Sequence, residues 1–439
     1  NEKNDGLLID GSKLRLRREE SFTHNMVVAP TGAGKSTRYV IPNLLTLDNC
    51  SFVVTDPSGE LFQKTSGALQ AKGYDIKVLA PADPEYSMRY NPLAGIRSYT
   101  DITELSQTLV RSSGGGKGDN DDFWYTGAAD IISLLIRCLG VAGKQYLNLG
   151  NVLYLLQNFG SDGRGLAKFI EKYADEAALN QFKGLISGNE RTTQSFISTA
   201  MNSLSLLNNP ELASLMSENE LDFQDLRKRK TALFLILPSN KLKHYRFIMN
   251  MMYVDLFSSL TSKSPQQQRK EGKKCLPVYC MMDEFGHTAL PDFAVTCTTI
   301  RKYEVSLSII LQNFTQMVTN YGKDEAKTII DGGMQSRIFY PGLPADTAKQ
   351  VEQLLGKEVI NEIRWNGTTQ STEQNLLNAD RIRTLPDDNA IFLTSNKEAM
   401  LLNTLPSYRN KRFQSMMQKK YKGVIKKREV KGFERVNLS

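Results

Sequence analysis

The chain has 439 residues, of which 55 are Lys or Arg and 47 are Asp or Glu, so its net charge is +8. A chain of this length predicts two or three domains. Its composition, 40% hydrophobic and 23% charged, is ordinary for a globular protein with a large core. These values exclude a disordered chain, a fibrous repeat and a small domain held together by disulfides.

Cysteine and histidine usage argues against disulfides and against a His/Cys metal cage. The five cysteines form no CxxC pair and most lie in apolar surroundings, which predicts buried thiols in a reducing compartment. The three histidines are too few and too scattered for a His/Cys metal cage. No run of 18 apolar residues occurs, so the sequence predicts no bilayer-spanning segment.

Short apolar runs bounded by turn or charged residues predict the strands of an α/β protein. Such runs are typical of parallel strands that helices cover on both faces. Six runs have this character, at residues 25–29, 51–55, 76–79, 232–237, 278–282 and 306–311. Two more runs in the same style are at residues 336–340 and 390–395.

Between residues 79 and 232 the apolar residues follow helical spacing instead. Helices are predicted at residues 101–111, 123–139, 152–158, 167–175, 190–207 and 210–217. This pattern predicts an all-α insertion in an α/β chain. The predicted domains are a nucleotide-binding domain in two parts (1–95 and 229–410), an all-α domain (96–228) and a basic C-terminal tail (411–439). Residues 112–122 and 261–274 are predicted to be loops.

The sharpest motif is a phosphate-binding loop, APTGAGKS, which follows a predicted strand and precedes a predicted helix. Small residues let successive backbone N–H groups surround phosphate oxygens, and the helix N-terminus adds a favourable dipole. Lys35 is expected to neutralise phosphate charge, and Ser36 to offer its hydroxyl to Mg²⁺. The predicted nucleotide-binding residues are Pro30, Thr31, Gly32, Ala33, Gly34, Lys35, Ser36 and Thr37.

Acidic and amide residues that end later strands predict the second half of this site. Asp283 and Glu284 follow the strand at 278–282, where Asp283 is expected to hold Mg²⁺ and Glu284 to act as general base. Gln312 ends the next strand and is expected to sense the γ-phosphate or orient water. Asp283 lies 248 residues after Lys35, a gap that the helical insertion explains.

Two further residues leave alternatives open. Arg301 precedes the strand at 306–311 and either reaches a neighbouring subunit's γ-phosphate as an arginine finger or makes a surface salt bridge or helix cap. Asp56 either joins the outer coordination sphere of the magnesium or simply belongs to an Asp-Pro-Ser-Gly turn. Trp124 is predicted to be a buried helix anchor, with a substrate contact as the alternative.

Several sequence segments occur together in an order that resembles one family. They are TGAGKS, DPSGE, YNPL, DFWYTGA, MMDEFG and IILQN, followed by SRIFYPGLPADTAKQVEQLLGKEVI. Together they resemble the VirD4/TraG family of type IV secretion and conjugation coupling proteins, from about residue 25 to 409. The combination is specific, although each segment alone is not.

The resemblance implies a RecA-like P-loop core with a mostly parallel sheet and an inserted all-α domain. It also implies a homohexamer at the cytoplasmic face of the bacterial inner membrane, with a membrane anchor upstream of this chain; a monomer is the alternative for a soluble fragment. ATP and Mg²⁺ are the implied cofactors. By motif position Lys35, Ser36, Asp283, Glu284 and Gln312 are the working residues, and Arg301 is the arginine finger.

The same resemblance implies ATP-driven recruitment and transfer of a DNA–relaxase complex or protein effectors into a secretion channel. Binding to single-stranded DNA is expected to be sequence-tolerant and dependent on salt. Two alternatives stay open: a docking receptor whose nucleotide site controls assembly, and a helicase-like ring ATPase. The basic residues after position 405 either bind a polyanion or form a solvated, mobile tail.

Overall fold

The computed structural model describes residues 5–113, 121–160, 164–363, 369–394, 397–423, 427 and 432–438. The chain forms two compact units. The first contains Asn1–Ile76, Gln224–Leu235 and Leu260–Lys422. The second contains Lys77–Phe223, Ile236–Ser259 and Gly423–Ser439. The domain boundaries predicted from the sequence stay a prediction.

The strands of the structure correspond to the short apolar runs of the sequence. In chain order they are β1 (Asn25–Val28), β2 (Ser51–Asp56), β3 (Asp75–Leu79), β4 (Thr231–Ile236), β5 (Val278–Met282), β6 (Val305–Leu311), β7 (Ser336–Phe339), β8 (Lys357–Ile363), β9 (Thr369–Asn375), β10 (Asn389–Thr394) and β11 (Lys397–Asn403). Every residue of β1, β2, β5 and β6 is buried, as expected for strands covered on both faces.

Nine of these strands form one sheet, in the order β11-β10-β7-β1-β6-β5-β2-β4-β3. Strands β7, β1, β6, β5 and β2 pair in parallel, so their carboxyl ends lie at one edge. The sheet finishes in an antiparallel ribbon, because β10 pairs antiparallel with both β7 and β11. Strands β8 and β9 form a separate antiparallel pair.

All eight strands predicted from apolar runs are present. One expectation was wrong: the run at 390–395 was predicted in the same style as the parallel strands, yet β10 is antiparallel to β7. Strands β8, β9 and β11 were not predicted, because most of their side chains with a described environment are exposed and polar residues alternate with few apolar ones.

The α-helices surround this sheet or form the second unit. In chain order they are α1 (Arg18–Ser21), α2 (Ile41–Thr46), α3 (Glu60–Ala71), α4 (Tyr99–Ser113), α5 (Asp121–Ala142), α6 (Leu149–Gln157), α7 (Ala167–Tyr173), α8 (Glu176–Ser187), α9 (Glu190–Ser203), α10 (Pro210–Leu215), α11 (Asp225–Lys228), α12 (Leu242–Thr261), α13 (Pro265–Lys270), α14 (Phe293–Thr299), α15 (Thr315–Tyr321), α16 (Lys323–Lys327), α17 (Ala345–Leu355), α18 (Ala379–Arg383) and α19 (Lys411–Met417).

The six predicted helices of the second unit correspond to α4, α5, α6, α7, α9 and α10. The helix predicted at 190–207 is shorter, since α9 ends at Ser203 and a separate 3₁₀ turn follows. Helices α8 and α12 were not predicted. Of the loop predicted at 112–122, the two ends belong to α4 and α5, and residues 114–120 lie outside the described part of the chain.

The loop predicted at 261–274 contains a short helix, α13, so that prediction was partly wrong. Ser264 Oγ accepts the N–H of Gln267 (3.2 Å), and Gln267 Oε1 accepts the N–H of Ser264 (3.0 Å). This capping box, with Pro265 at the first helical position, explains why a polar segment starts a helix.

The basic segment after position 405, for which polyanion binding and a mobile tail were the two alternatives, is partly folded. Helix α19, whose Phe413 is buried, packs against α3, and Tyr421 packs edge-on against Phe62. Gly67 of α3 allows this contact, because a Cβ there would lie 1.9 Å from the carbonyl oxygen of Lys419. Three basic residues of this segment, Lys426, Arg428 and Lys431, lie outside the described residues.

Helix α5 is the central helix of the second unit. An 18-residue stretch within Asp122–Ala142 has a mean hydropathy of 1.4, so within the described chain this helix alone is long and apolar enough to cross a membrane. Core helices of globular proteins have the same composition. Because α5 is largely buried and packs against α4, α6 and α9, its burial favours a core helix.

The start of α5 corrects one prediction about a side chain. Trp124 is 37% exposed and packs against Phe123 and Phe196, so it is not a buried anchor. The glycine at position 127 lets α9 come close, since a Cβ there would lie 2.4 Å from the Phe196 ring. The prediction of buried thiols is confirmed: the five cysteines are unpaired and buried.

Candidate functional site

The phosphate loop leaves the carboxyl end of β1 and is held open by two glycines. Gly32 (φ 85°) and Gly34 (φ 80°) have left-handed backbone conformations. Residues with a Cβ are strained in this region, whereas glycine is not. The N–H of Ala33 bonds the carbonyl of Pro30 (3.2 Å), which closes the turn. Thr31 and Gly32 are exposed, so the predicted loop is accessible to a ligand.

A helix begins directly after the loop, as the motif requires. Its first turn, Ser36–Val40, is wound as a π-helix, and α2 continues the same helix. Thr37 Oγ1 donates to the carbonyl of Gly34 (3.1 Å), so this hydroxyl stabilises the loop itself. The N-terminus of the combined helix points its unpaired N–H groups towards the loop, an arrangement that favours an anion.

The acidic pair lies at the carboxyl end of β5. Asp283 is buried, and its Oδ1 accepts the N–H of Glu284 (3.0 Å). Glu284 has φ 54°, a left-handed conformation that is uncommon for a residue with a side chain and typical of functional turns. Ser36 Oγ donates to Asp283 Oδ2 (3.4 Å), so the two predicted metal ligands are neighbours.

Glu284 is the centre of the site. Its Oε1 lies 2.7 Å from Lys35 Nζ, and its Oε2 accepts Gln312 Nε2 (3.0 Å). Because β1, β6 and β5 are neighbours, Lys35, Gln312 and Glu284 follow the carboxyl ends of adjacent strands and meet there. The structure thus brings together residues that are 249 positions apart in the sequence.

Two residues that the sequence analysis missed support this centre. His287 Nε2 lies 3.4 Å from Glu284 Oε2, one helical turn further along the chain. Gln316 Oε1 accepts the N–H of Gln312 (3.0 Å) and packs against Gly286, where a Cβ would lie 2.2 Å from it. The spacing of His287 from Glu284 was the available signal, whereas Gln316 lay within an unremarkable polar helix.

Burial changes the electrostatics of the acidic pair. It raises the pKa of Asp283 to about 6; the charge of Lys35 opposes this shift, and that of Glu284 adds to it. A buried carboxylate beside a hydroxyl offers the oxygen ligands that Mg²⁺ prefers, and a bound cation would favour the ionised form. The residues present therefore fit a magnesium ion at Ser36 and Asp283.

Asp56 lies at the same edge of the sheet, but its side chain accepts a hydrogen bond from the backbone. Thr55 is in register with Met282. Asp56 at the end of β2 therefore lies level with Asp283 at the end of β5. Asp56 Oδ2 accepts the N–H of Phe62 (2.8 Å) at the start of α3. Burial raises the pKa of Asp56, and these backbone hydrogen bonds oppose the shift. Its part in magnesium binding stays a prediction.

Arg301 lies at the opposite edge of the sheet from the phosphate loop. It belongs to the helical turn Ile300–Tyr303, before β6 begins, whereas Gln312 follows the end of β6. Seven strand residues at about 3.3 Å each separate the two by more than about 20 Å. Arg301 is exposed beside a cavity of about 540 Å³, so it does not meet the other site residues of its own chain.

The family is shown by a comparison with family models. The model described as type IV secretory system conjugative DNA transfer matches residues 2–431. This chain belongs to that family. Among the family's relatives, protein VirD4 of Rhizobium radiobacter is 24% identical over 416 residues, which cover 90% of this chain and 58% of the relative. The chain spans less than two thirds of the length of such relatives.

Other comparisons agree with the family and establish the fold. The conjugal transfer protein TraG of Escherichia coli is 24% identical over 406 residues, covering 88% of this chain and 63% of the relative. The structure of the bacterial conjugative coupling protein TrwBdeltaN70 matches with a TM-score of 0.73, 19% identity and coverage of 92% and 90% of the two chains. The predicted RecA-like P-loop fold is thereby confirmed.

Proposed function

We propose that this chain is the nucleotide-hydrolysing part of a coupling protein, which uses ATP to recruit a DNA–relaxase complex or protein effectors and to help move them into a type IV secretion channel. One observation carries the proposal: the phosphate loop, the acidic pair and Gln312 meet at one edge of the sheet. Family membership supports the cargo. TrwB structures with ADP and Mg²⁺ and with a non-hydrolysable ATP analogue support the ligand.

Each residue of the site has a distinct task in this proposal. The loop N–H groups and Lys35 bind the β- and γ-phosphates, since these are the positive groups that line the opening. Ser36 and Asp283 hold Mg²⁺, which when bound draws negative charge from the phosphate oxygens. Glu284 accepts a proton from the attacking water, and Gln312 holds Glu284 Oε2 and orients that water.

Arg301 completes the site from another copy of the chain. Its side chain is exposed, and among the described residues it makes no hydrogen bond or ion pair. An arginine that is more than about 20 Å from its own phosphate loop serves a neighbour's γ-phosphate in a ring. The proposal therefore includes a homohexamer, with Arg301 acting in trans.

The proposal includes a cellular setting, which family membership supports. In it, the assembly acts at the cytoplasmic face of the bacterial inner membrane, in contact with secretion-channel components. Single-stranded DNA is bound without sequence preference, because contact with phosphates depends on charge alone.

The experiment that tests the proposal is the steady-state rate of ATP hydrolysis with and without single-stranded DNA, at low and moderate salt, alongside the mass of the assembly. We expect DNA to stimulate hydrolysis and to shift the protein from monomer to ring, with less stimulation at higher salt. A monomer that DNA does not stimulate would contradict the DNA-driven motor and favour protein cargo.

A matched pair of lysine variants tests whether ATP is bound, and therefore hydrolysed, at this site. Lys35→Ala is expected to weaken ATP binding by more than about hundredfold, because it removes the charge that pairs with the phosphates. Lys323→Ala, an exposed lysine on α16, is expected to bind ATP as the wild type does. Equal ATP affinity in the Lys35→Ala variant and the wild type would refute the assignment of the loop.

A further inference from the structure

An arginine that the site description has not used lies against the phosphate loop. Arg38 belongs to the π-helical turn, yet only 9% of its side chain is exposed. Its guanidinium folds back over the loop and donates from Nη1 to the carbonyl of Ala33 (2.8 Å). The fit is close, because a Cβ on Gly34 would lie 2.9 Å from the same nitrogen.

Arg38 holds two successive peptide groups of the loop. Its side chain bonds the carbonyl of Ala33, and its backbone N–H bonds the carbonyl of Gly34 (2.8 Å). In a trans peptide the C=O and the following N–H point in opposite directions. When both carbonyls face Arg38, the N–H groups of Gly34 and Lys35 face the other side, where a phosphate would lie.

The guanidinium is itself anchored outside the loop. Arg38 Nη2 donates to Asp388 Oδ1 (2.9 Å), and Arg409 Nη1 donates to Asp388 Oδ2 (2.8 Å). The backbone carbonyl of Asp388 also accepts the N–H and the hydroxyl of Thr404. Burial opposes ionisation of Asp388, but the hydrogen bonds from Arg409 and Arg38 hold its pKa below the ordinary value.

We infer that Arg38 is a positioning residue for the phosphate loop and that Asp388 sets its orientation, so affinity for a nucleoside polyphosphate depends on this pair. The inference rests on the proposed function, since it concerns the same site. Arginine suits the task better than lysine, because its planar fork serves Ala33 and Asp388 at once, whereas lysine is a single point charge.

Charge and positioning predict opposite effects for one substitution. Asp388→Asn removes a negative charge near the site, so charge alone predicts tighter binding of a polyanion. If Asp388 instead orients Arg38, the same substitution lets the guanidinium leave the Ala33 carbonyl, and binding weakens. Asp388 is 43% exposed on its side chain, so this variant is expected to fold.

The test measures the dissociation constant of a fluorescent ADP analogue with Mg²⁺ for the whole chain. We expect about a tenfold increase for Arg38→Gln, a smaller increase for Arg38→Lys, and a severalfold increase for Asp388→Asn. The double variant is expected to bind no more weakly than Arg38→Gln, because the two residues act through one contact. Arg412→Gln, which removes a charge from exposed α19, is the control and is expected to match the wild type.

The outcomes separate this inference from the function on which it rests. If Asp388→Asn binds ADP as tightly as the wild type or more tightly, while Lys35→Ala loses binding, the positioning role is refuted and the nucleotide site stands. If the wild type and Lys35→Ala both fail to bind the analogue, the proposed function fails, and this inference fails with it.

Discussion

The two edges of the parallel sheet differ in whether their predicted site residues find polar partners within the same chain. At the carboxyl edge Glu284 pairs with both Lys35 and Gln312, and His287 lies beside it. At the amino edge the side chain of Arg301 is exposed and makes no hydrogen bond or ion pair among the described residues, although the nearby Glu304 pairs with Arg269. The two edges therefore differ in whether the predicted site residues have partners within the chain.

In the proposed function, a second copy of the chain is needed at one edge only. The carboxyl edge holds the proposed base, the proposed metal ligands and the phosphate loop, all within one chain. At the amino edge, Arg301 lines a cavity of about 540 Å³ together with Arg18 and Lys302, so there is room beside it for a ligand or a neighbouring chain. The proposed function therefore places nucleotide binding within one chain and requires a second chain for full hydrolytic activity.

The largest expected effect comes from removing the base at the carboxyl edge. Glu284→Gln keeps the shape of the side chain but cannot accept a proton from water, so ATP turnover is expected to fall by up to about 10⁴-fold. ATP affinity is expected to stay within a few fold of the wild type. Single-turnover hydrolysis and equilibrium binding measure the two effects separately.

A control and a contrary result complete that test. Glu398→Gln, which changes an exposed glutamate of β11, is expected to leave both quantities unchanged. Hydrolysis at the wild-type rate in the Glu284→Gln variant would remove Glu284 as the base and leave the carboxyl edge as a binding site only.

A smaller effect is expected at the amino edge. Arg301→Ala is expected to lower turnover by about 10³-fold without weakening ATP binding, because the lost charge stabilises the transition state. The distinguishing measurement mixes Arg301→Ala subunits with Glu284→Gln subunits. Each variant alone is inactive, but some interfaces of a mixed ring join an intact base to an intact arginine.

Recovery of hydrolysis in the mixture is the expected result, and Lys302→Ala, which removes the adjacent exposed lysine, is the control. If the mixture stays as inactive as its parts, although the subunits assemble together, Arg301 does not act between copies. The contrast between the two edges would then reflect only solvent exposure.

The smallest effect concerns a carboxyl group away from both edges. Burial raises the pKa of Asp255 to about 6, as it does for Asp283, although the hydrogen bond from Tyr90 opposes the shift. A carboxyl whose folded pKa exceeds its unfolded value of 3.8 favours folding less as the pH rises from about 4 to above 6. Asp255→Asn is thus expected to raise the free energy of unfolding by about 1–3 kcal/mol at pH 8.

The gain from Asp255→Asn should vanish below about pH 3, where the carboxyl is protonated in both the folded and the unfolded state, and denaturant titrations at pH 3 and pH 8 measure it. Nucleotide affinity and turnover are expected to be unchanged. If this variant instead lost ATP binding, the site would extend beyond the carboxyl edge. A raised pKa by itself therefore marks burial, and the contacts identify the site.

The sequence was sufficient to predict the strands and the motif that the core of the fold requires. Runs such as β1 and β6 are mostly apolar and are buried along their whole length, and the glycines at 32 and 34 occupy positions where a Cβ is unfavourable. The long separation of Lys35 from Glu284 in the sequence was also explained correctly by a helical insertion. Such an insertion lengthens the chain between two strands without changing which strands are neighbours in the sheet. These features depend on residue types and their spacing within short segments, which can be read directly from the sequence.

The rest depended on tertiary contacts that no local pattern reports. Arg38 looked like an ordinary helical arginine, and its partner Asp388 is 350 residues away. Trp124 was expected inside the second unit, yet its ring lies on the surface against Phe123 and Phe196. Strand β11 borders the sheet with exposed residues such as Leu401, so it lacks the apolar pattern of a buried strand.

The ion pair between Lys35 and Glu284 links two tasks of the proposed function. The lysine proposed to neutralise phosphate and the carboxylate proposed to activate water lie 2.7 Å apart, so their charges balance each other. A ligand must carry enough negative charge to compete with Glu284 for Lys35, which a nucleoside without phosphates does not. In the proposal, binding of the phosphates therefore also frees the carboxylate that accepts the proton from water.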